Sequence, residues 1–144
     1  MAGPGAADCE LLFVYGTLRR GMKLHHHLTH LAARFRMEAT VAGELFDLGR
    51  YPGARPAKGN AQWVRGELFQ LRRPEHDLVI LDEVEGFNPR EPERSEFVRA
   101  LADVITHNGE RCRAWIYWLG PTARAIRRIG SGDYAPTKVD RALT

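Results

Sequence analysis

The 144-residue sequence has no long hydrophobic run. With no stretch of about 18 apolar residues, no helix is expected to span a membrane. Residues 1–8 are rich in Ala, Gly and Pro and lack the basic start and apolar stretch of a secretion signal. With residue 9 they are expected to form a loose arm ahead of the fold. There are only two cysteines, Cys9 and Cys112. They make no metal motif and are expected to be reduced thiols in a cytoplasmic protein. The Lys-Ser/Thr ending of a Walker A loop, the dinucleotide fingerprint and the Gly-x-Ser-x-Gly nucleophile elbow are all missing. Charge of one sign is scarce too: 21 basic against 18 acidic side chains leaves +3. The basic pairs Arg19-Arg20, Arg72-Arg73 and Arg127-Arg128 are scattered among acids rather than gathered in a stripe. Nucleic acid is therefore not an expected partner, and a weak attraction for small anions is the more modest reading.

The length suits one domain with one core, expected over residues 10–135, with a tail at 136–144. Residues 10–15 carry the apolar run Leu11-Leu12-Phe13-Val14 and read as a buried strand that stops at Gly16. Residues 23–35 place Leu24, Leu28 and Leu31 on one helical face. Residues 34–48 and 62–71 read as strands and contain a near repeat. Val41-Ala-Gly-Glu-Leu-Phe-Asp-Leu48 is matched by Val64-Arg-Gly-Glu-Leu-Phe-Gln-Leu71, each with a glycine where a strand would bend or bulge. The Pro/Gly-rich stretch 51–60 between them reads as a loop. A helix is expected over 74–84, with Pro74 in its first turn and Gly86 past its end. Residues 88–95 read as an exposed charged loop. Strands at 96–106 and 110–119 are joined by Asn108-Gly109, a type I′ hairpin signal. Residues 123–129 are expected to form one or two helical turns, and Ser131-Gly132-Asp133-Tyr134 a turn. Strands dominate, so the expected class is α+β, with a small curved sheet or barrel.

Four groups of residues could carry chemistry. The strand-to-turn Tyr15-Gly16-Thr17-Leu18-Arg19-Arg20-Gly21 is either an ordinary turn or a concave set of backbone N–H groups suited to a carboxylate or phosphate. In Leu81-Asp82-Glu83-Val84-Glu85-Gly86-Phe87, three acids crowd a helix C-terminus, where negative charge is disfavoured. They are either solvated or in use. Glu85, between Val84 and Phe87, is the one expected to be buried, and a buried carboxyl can exchange protons near neutrality. His26 and His30 share a helical face but have no third ligand nearby, so solvated positions are expected and no metal. The aromatics Trp115, Tyr117 and Trp118 of the last strand, with Trp63 and Tyr51, are expected to divide between core and cavity, and Tyr117 is the one expected in the cavity.

The two motifs, in this order, resemble the γ-glutamyl cyclotransferase-like family. So do the Val-x-Gly-Glu-Leu-Phe strand at Val64 and the Trp115-Ile116-Tyr117 strand followed by Ser131-Gly132-Asp133-Tyr134. The resemblance runs from about Leu11 to Tyr134. It implies a small, mostly antiparallel β-barrel with flanking helices that needs no cofactor. It further implies an enzyme releasing 5-oxoproline and a free amine from a γ-glutamyl amino acid or γ-glutamylamine. By the same resemblance Glu85 is the catalytic acid/base, and Tyr15, Gly16, Thr17, Leu18, Phe87 and Tyr117 surround the substrate. Glu44, Glu67 and Glu83 are the alternative carboxylates. A non-catalytic module of the same fold, binding a γ-glutamyl or other small carboxylate ligand, is the competing reading.

Overall fold

A computed structural model describes residues 9–57, 62–124 and 127–134. The expected arm and tail lie outside the described residues, except for Cys9. The elements run β1 (Leu11–Val14), α1 (His26–His30), β2 (Arg34–Asp47), β3 (Pro52–Pro56), β4 (Trp63–Gln70), α2 (Pro74–Val84), β5 (Phe97–Thr106), β6 (Arg111–Leu119) and β7 (Arg127–Ile129). One 3-10 turn, Pro92–Arg94, precedes β5. Strands pair in the order β2-β4-β1-β6-β5, and β5 returns to β2 through Ala39↔Thr106, Thr40↔Ile105 and Val41↔Val104, which closes a barrel. Every pairing in it is antiparallel except β1 with β6. Among the described residues, no helix is long and apolar enough to cross a membrane.

β1 is apolar throughout because both of its faces are covered. Phe13 and Tyr15 join Val41, Val64, Val104 and Ile116 inside the barrel. Leu12 and Val14 face outward, under Leu28 of α1 and Leu78 and Leu81 of α2. Alternation along β6 works the same way: Ala114 and Ile116 point in, while Trp115, Tyr117 and Leu119 meet the helices.

The near-repeat segments lie side by side, with Val41 opposite Val64. Their glycines do not mark the bulge, which falls between Phe35 and Met37. Gly43 stands where β2 leaves β4 and starts its pairing with β3, at Gly43↔Pro56. At Gly66 a Cβ would run into the Val14 carbonyl oxygen and sit 2.6 Å from Phe13 Cζ. Glycine there lets β4 pass directly beneath β1.

Four local expectations are corrected. The helix expected over 23–35 shrinks to α1, because Met22 and Leu24 close turns onto Arg19 and Thr17 and Ala32 takes a positive φ of 55° before β2 starts. The expected loop at 51–60 contains β3, an edge strand bounded by Pro52 and Pro56 and paired only with β2. Proline is tolerated at strand ends and edges, where no ladder N–H is required. Residues 127–129 are strand β7, added to β2 at Leu45↔Ile129, rather than helical turns; residues 125 and 126 lie outside the described set. At the β5–β6 hairpin only Gly109 has positive φ, 87°. Gly109 N donates to Thr106 O (2.8 Å) and Thr106 N to Glu110 O (2.8 Å), which makes a three-residue loop with a left-handed glycine instead of a type I′ turn.

Replacing Gly66 by Ala is expected to destabilise the protein by about 1–3 kcal/mol, the range for overpacking a tight contact. Gly130, whose added Cβ meets nothing within 4 Å, serves as the control. Urea denaturation of Gly66→Ala and Gly130→Ala checks this; equal midpoints would show that β4 can move away from β1.

Candidate active site

Both sequence motifs end at one cavity of about 90 Å³. Its walls include Tyr15, Gly16, Thr17 and Leu18 from the turn after β1, Tyr51 and Pro52 from the start of β3, and Val84 and Glu85 from the end of α2. Glu96 and Phe97 at the start of β5, and Tyr117 of β6, complete this part of the lining.

The turn is shaped by its carbonyls. Arg19 N donates to Gly16 O (3.1 Å), Leu24 N to Thr17 O (2.9 Å), and the His25 Nδ1 hydrogen-bonds Leu18 O (2.9 Å). With those carbonyls turned back into the protein, the amides of Gly16, Thr17 and Leu18 find no protein acceptor among the described residues. Consecutive unpaired N–H groups beside a cavity form an anion site. Gly16 is required by contact: a Cβ would lie 2.7 Å from Pro52 Cγ. The two arginines that follow are engaged elsewhere. Arg19 pairs with Asp133 (2.9 Å) and donates to Tyr134 O (3.2 Å). The Arg20 backbone N–H and guanidinium both bind the buried Glu67, at 2.9 and 3.3 Å, and that guanidinium lies 3.4 Å from the Phe35 ring centre. The Ser131-Gly132-Asp133-Tyr134 segment thus holds the turn in place.

Glu85 is positioned by how α2 ends. Pro74 and a hydrogen bond from Arg73 N to the Asp77 carboxylate (3.0 Å) start the helix. At the other end Phe87 N donates to Asp82 O (2.8 Å) and Gly86 N to Glu83 O (3.2 Å), with Gly86 at φ 68°. This is a Schellman closure, in which a left-handed glycine satisfies the last carbonyls. Glu85 is the cap residue just before that glycine, and the reversal carries its side chain into the cavity. Among the described residues no donor reaches its carboxyl. The residue is half-buried, yet its acid group sits among apolar walls, and this burial raises its pKa from 4.5 to about 7.

Two tyrosines frame the acid. The Tyr15 hydroxyl donates to Tyr117 O (2.7 Å) and accepts from Ala54 N (3.0 Å). The Tyr117 hydroxyl donates to Asp82 Oδ1 (2.7 Å), and Asp82 is gripped by Arg99 through Nε (2.7 Å) and a terminal nitrogen (3.1 Å). Burial, and for Tyr117 the Asp82 charge, push both phenols far above the ordinary range, so both stay neutral. Tyr15 and Tyr117 therefore contribute ring faces to the cavity while their hydroxyls hold strands and helix together. Phe87 does not line the cavity. It packs against the outer core with its ring 5.8 Å from the Arg99 guanidinium, as the apolar partner of the Schellman closure. The alternative carboxylates are elsewhere as well: Glu67 binds Arg20, Glu83 is exposed, and Glu44 lies on β2 opposite Arg55. Among the described residues no three His, Cys, Asp or Glu side chains are placed to hold a metal ion.

Tyr51, one of the scattered aromatics, lines the cavity, whereas Pro52 and Glu96 as wall residues, and the Asp82–Arg99 pair behind Tyr117, were not anticipated from the sequence. Asp82 carried a signal, as one of the crowded helix-end acids. The others come from segments that nothing local connects to the site.

The chain matches the family described as gamma-glutamyl cyclotransferase, AIG2-like, over residues 12–136. It belongs to that family. A gamma-glutamylcyclotransferase-type protein of Vibrio cholerae is 37% identical over 125 residues, covering 87% of this chain and 95% of the relative. The gamma-L-glutamyl-butirosin B gamma-glutamyl cyclotransferase of Niallia circulans is 34% identical over 107 residues, covering 74% of this chain and 64% of that protein. The crystal structure of a mouse AIG2-like protein superposes with a TM-score of 0.62 at 21% identity, covering 90% of this chain and 97% of that one. The last likeness concerns the fold alone.

Because the folded pKa of Glu85 lies above its unfolded value, the native state holds the proton more tightly between pH 4.5 and about 7. The stability associated with the neutral acid is lost as pH rises through that window. Glu85→Gln removes the titration. At pH 8 it is expected to stabilise the protein by up to ~3 kcal/mol, less the share screened by solvent at a half-buried position, and by almost nothing at pH 4.5. Thermal melts of both proteins at the two pH values check this; a gain of equal size at both would mean that the carboxyl is not desolvated.

Proposed function

We propose that this member of the family releases 5-oxoproline and a free amine from γ-glutamyl amino acids or γ-glutamylamines. The observation that carries the reading is the meeting, in one cavity, of an unpartnered carboxyl with a pKa near 7 and a set of unpartnered backbone amides. A γ-glutamyl group presents the complement: an α-carboxylate for the amides and an α-ammonium for the acid.

In this mechanism the amides of Gly16, Thr17 and Leu18 hold the substrate's α-carboxylate. Glu85, ionised, removes a proton from the α-ammonium. The freed amine attacks the γ-carbonyl carbon of the same molecule, forming the five-membered lactam ring. Glu85 then gives that proton to the nitrogen of the departing amine as the γ-amide C–N bond breaks. It takes the second proton from the ring nitrogen, leaving the neutral lactam, and that proton passes to the released amine, which departs as an ammonium. Two protons thus move from the α-nitrogen to the leaving nitrogen, and no other reactant is consumed. The tethered nucleophile needs only to be oriented, and orientation of this kind is worth roughly 7–11 kcal/mol. Raising Glu85 from 4.5 to about 7 narrows its proton-affinity gap to the substrate amine by about 3 kcal/mol. A base near the working pH is the efficient choice. Tyr15 and Tyr117 supply apolar faces that keep the acid desolvated.

5-Oxoproline release is measured by mass spectrometry from a panel of γ-glutamyl amino acids and γ-glutamylamines. Wild type is expected to form product with kcat/KM rising through an apparent pKa near 7. Glu85→Gln is expected to lose about a hundredfold or more of turnover while retaining substrate binding. Wild-type turnover in Glu85→Gln would end the assignment of the base. Calorimetric binding without product from wild type would favour the non-catalytic module.

A further inference from the structure

Among the described residues the cavity wall holds two charged side chains, and both are acids. Glu85 is used in the proposed reaction; Glu96 is not. Among the described residues no Lys or Arg lines the cavity, although the chain as a whole carries more basic than acidic residues. Of the arginines on the segments that build the site, Arg19 is paired with Asp133, Arg20 with Glu67 and Arg99 with Asp82. Glu96 has no ion pair or side-chain hydrogen bond among the described residues.

Nor is Glu96 a loose surface side chain. Its backbone N–H donates to Gly86 O (3.2 Å) and its carbonyl accepts from Gly120 N (2.7 Å). Its Cβ and Oε2 lie against Gly86, each 3.4 Å from where a Cβ on that glycine would be. Its backbone is thus tied directly to the residue after Glu85, and its carboxylate lies beside the end of α2. Among the wall residues it is the exposed one, so it stands on the solvent side of the cavity. In the cyclotransferase reading the γ-glutamyl end of a substrate lies inward, on the loop amides, so the leaving amine, whose size varies, would extend outward past Glu85 toward Glu96. A negative charge held there attracts a positive charge on the leaving group and repels a negative one.

We propose that Glu96 selects the leaving amine, and that the preferred substrates are γ-glutamyl conjugates of diamines or polyamines, which keep a second ammonium group after conjugation. The proposal rests on the cyclotransferase reading and names the substrate class of that same site.

The test compares three conjugates of similar length: γ-glutamyl-1,4-diaminobutane, γ-glutamyl-butylamine and γ-glutamyl-4-aminobutyrate, whose leaving groups end in a cation, a neutral methyl and a carboxylate. Wild type is expected to favour the diamine conjugate over the butylamine conjugate by roughly threefold to tenfold in kcat/KM, through KM, with the carboxylate conjugate last. The preference should shrink as salt is raised from about 10 to 300 mM, since a partly exposed contact is screened. Glu96→Gln is expected to bring the diamine-to-butylamine ratio close to one and remove its salt dependence, and Glu96→Lys to invert the order. The ratio is the readout, because a merely structural defect would slow all three conjugates alike and leave it unchanged. A wild-type ratio of one, or a ratio that Glu96→Gln leaves intact, overturns the proposal. If no conjugate yields 5-oxoproline, the cyclotransferase reading fails instead. Calorimetry of the same three conjugates then decides the role of Glu96: preferential, salt-sensitive binding of the diamine conjugate that Glu96→Gln abolishes upholds it, and equal binding overturns it.

Discussion

The site depends on the ion pair between Asp82 and Arg99. Asp82 lies in the last turn of α2 and Arg99 near the start of β5, and two hydrogen bonds of 2.7 and 3.1 Å join them. Both side chains are largely shielded from water, so each charge needs its partner, and neither can turn away cheaply. The Tyr117 hydroxyl takes up further acceptor capacity on Asp82, and the Arg99 guanidinium stacks 4.5 Å from the Trp115 ring centre. One network therefore ties α2 to both β5 and β6. Glu85 is three residues further along that helix, and its direction follows from where Asp82 is held.

Against that fixed helix end, the site sorts its polar groups into two kinds. Those whose work is structural are saturated: both tyrosine hydroxyls, Asp82, Glu67 and the carbonyls of the turn after β1 all have partners. The turn amides, Glu85 and Glu96 do not. An unpaired polar group beside a cavity is destabilising while the cavity is empty of solute. Leaving such groups unpaired beside a cavity, where the structural hydroxyls, carboxylates and carbonyls are satisfied, is the pattern expected of a ligand site, because the ligand completes them.

The barrel makes this arrangement rigid. β1 delivers the turn and β6 delivers Tyr117, and the two are the parallel neighbours of the sheet. The opposite side of the cavity comes from β3, a strand outside the barrel that reaches the site only because β2 continues past Gly43. Clamps from Glu67 in β4 and from Asp133 after β7 stop the turn from drifting. Four distant parts of the chain thus constrain one short turn, and this is how a loop can hold backbone donors in fixed positions.

What could be read locally was read correctly where neighbouring residues decide the structure. The apolar run of β1 demands burial on both faces. Pro74 and Gly86 bracket α2, because proline in the first turn and a left-handed glycine just past the end are favoured at helix termini. Glu85 is legible as an acid pressed against an apolar helix end. Partners distant in the chain decided the rest. β3 and β7 become strands because β2 offers them an edge, against the loop-like prolines of one and the helical spacing of the other. α1 is cut short because the Leu24 N–H is drawn to Thr17 O at one end and Ala32 takes a left-handed conformation at the other. Phe87 belongs to the helix cap rather than the cavity, since the chain reverses at Gly86. Glu96, marked by no motif, reaches the site because Gly86 and Gly120 hold its backbone from two sides. Covalent neighbours set propensity, capping and turn chemistry, and those the sequence determined by itself. Which unpaired edges, carbonyls and charges found one another was decided only by the closed barrel, because closure brings together residues as far apart as Tyr15 and Tyr117.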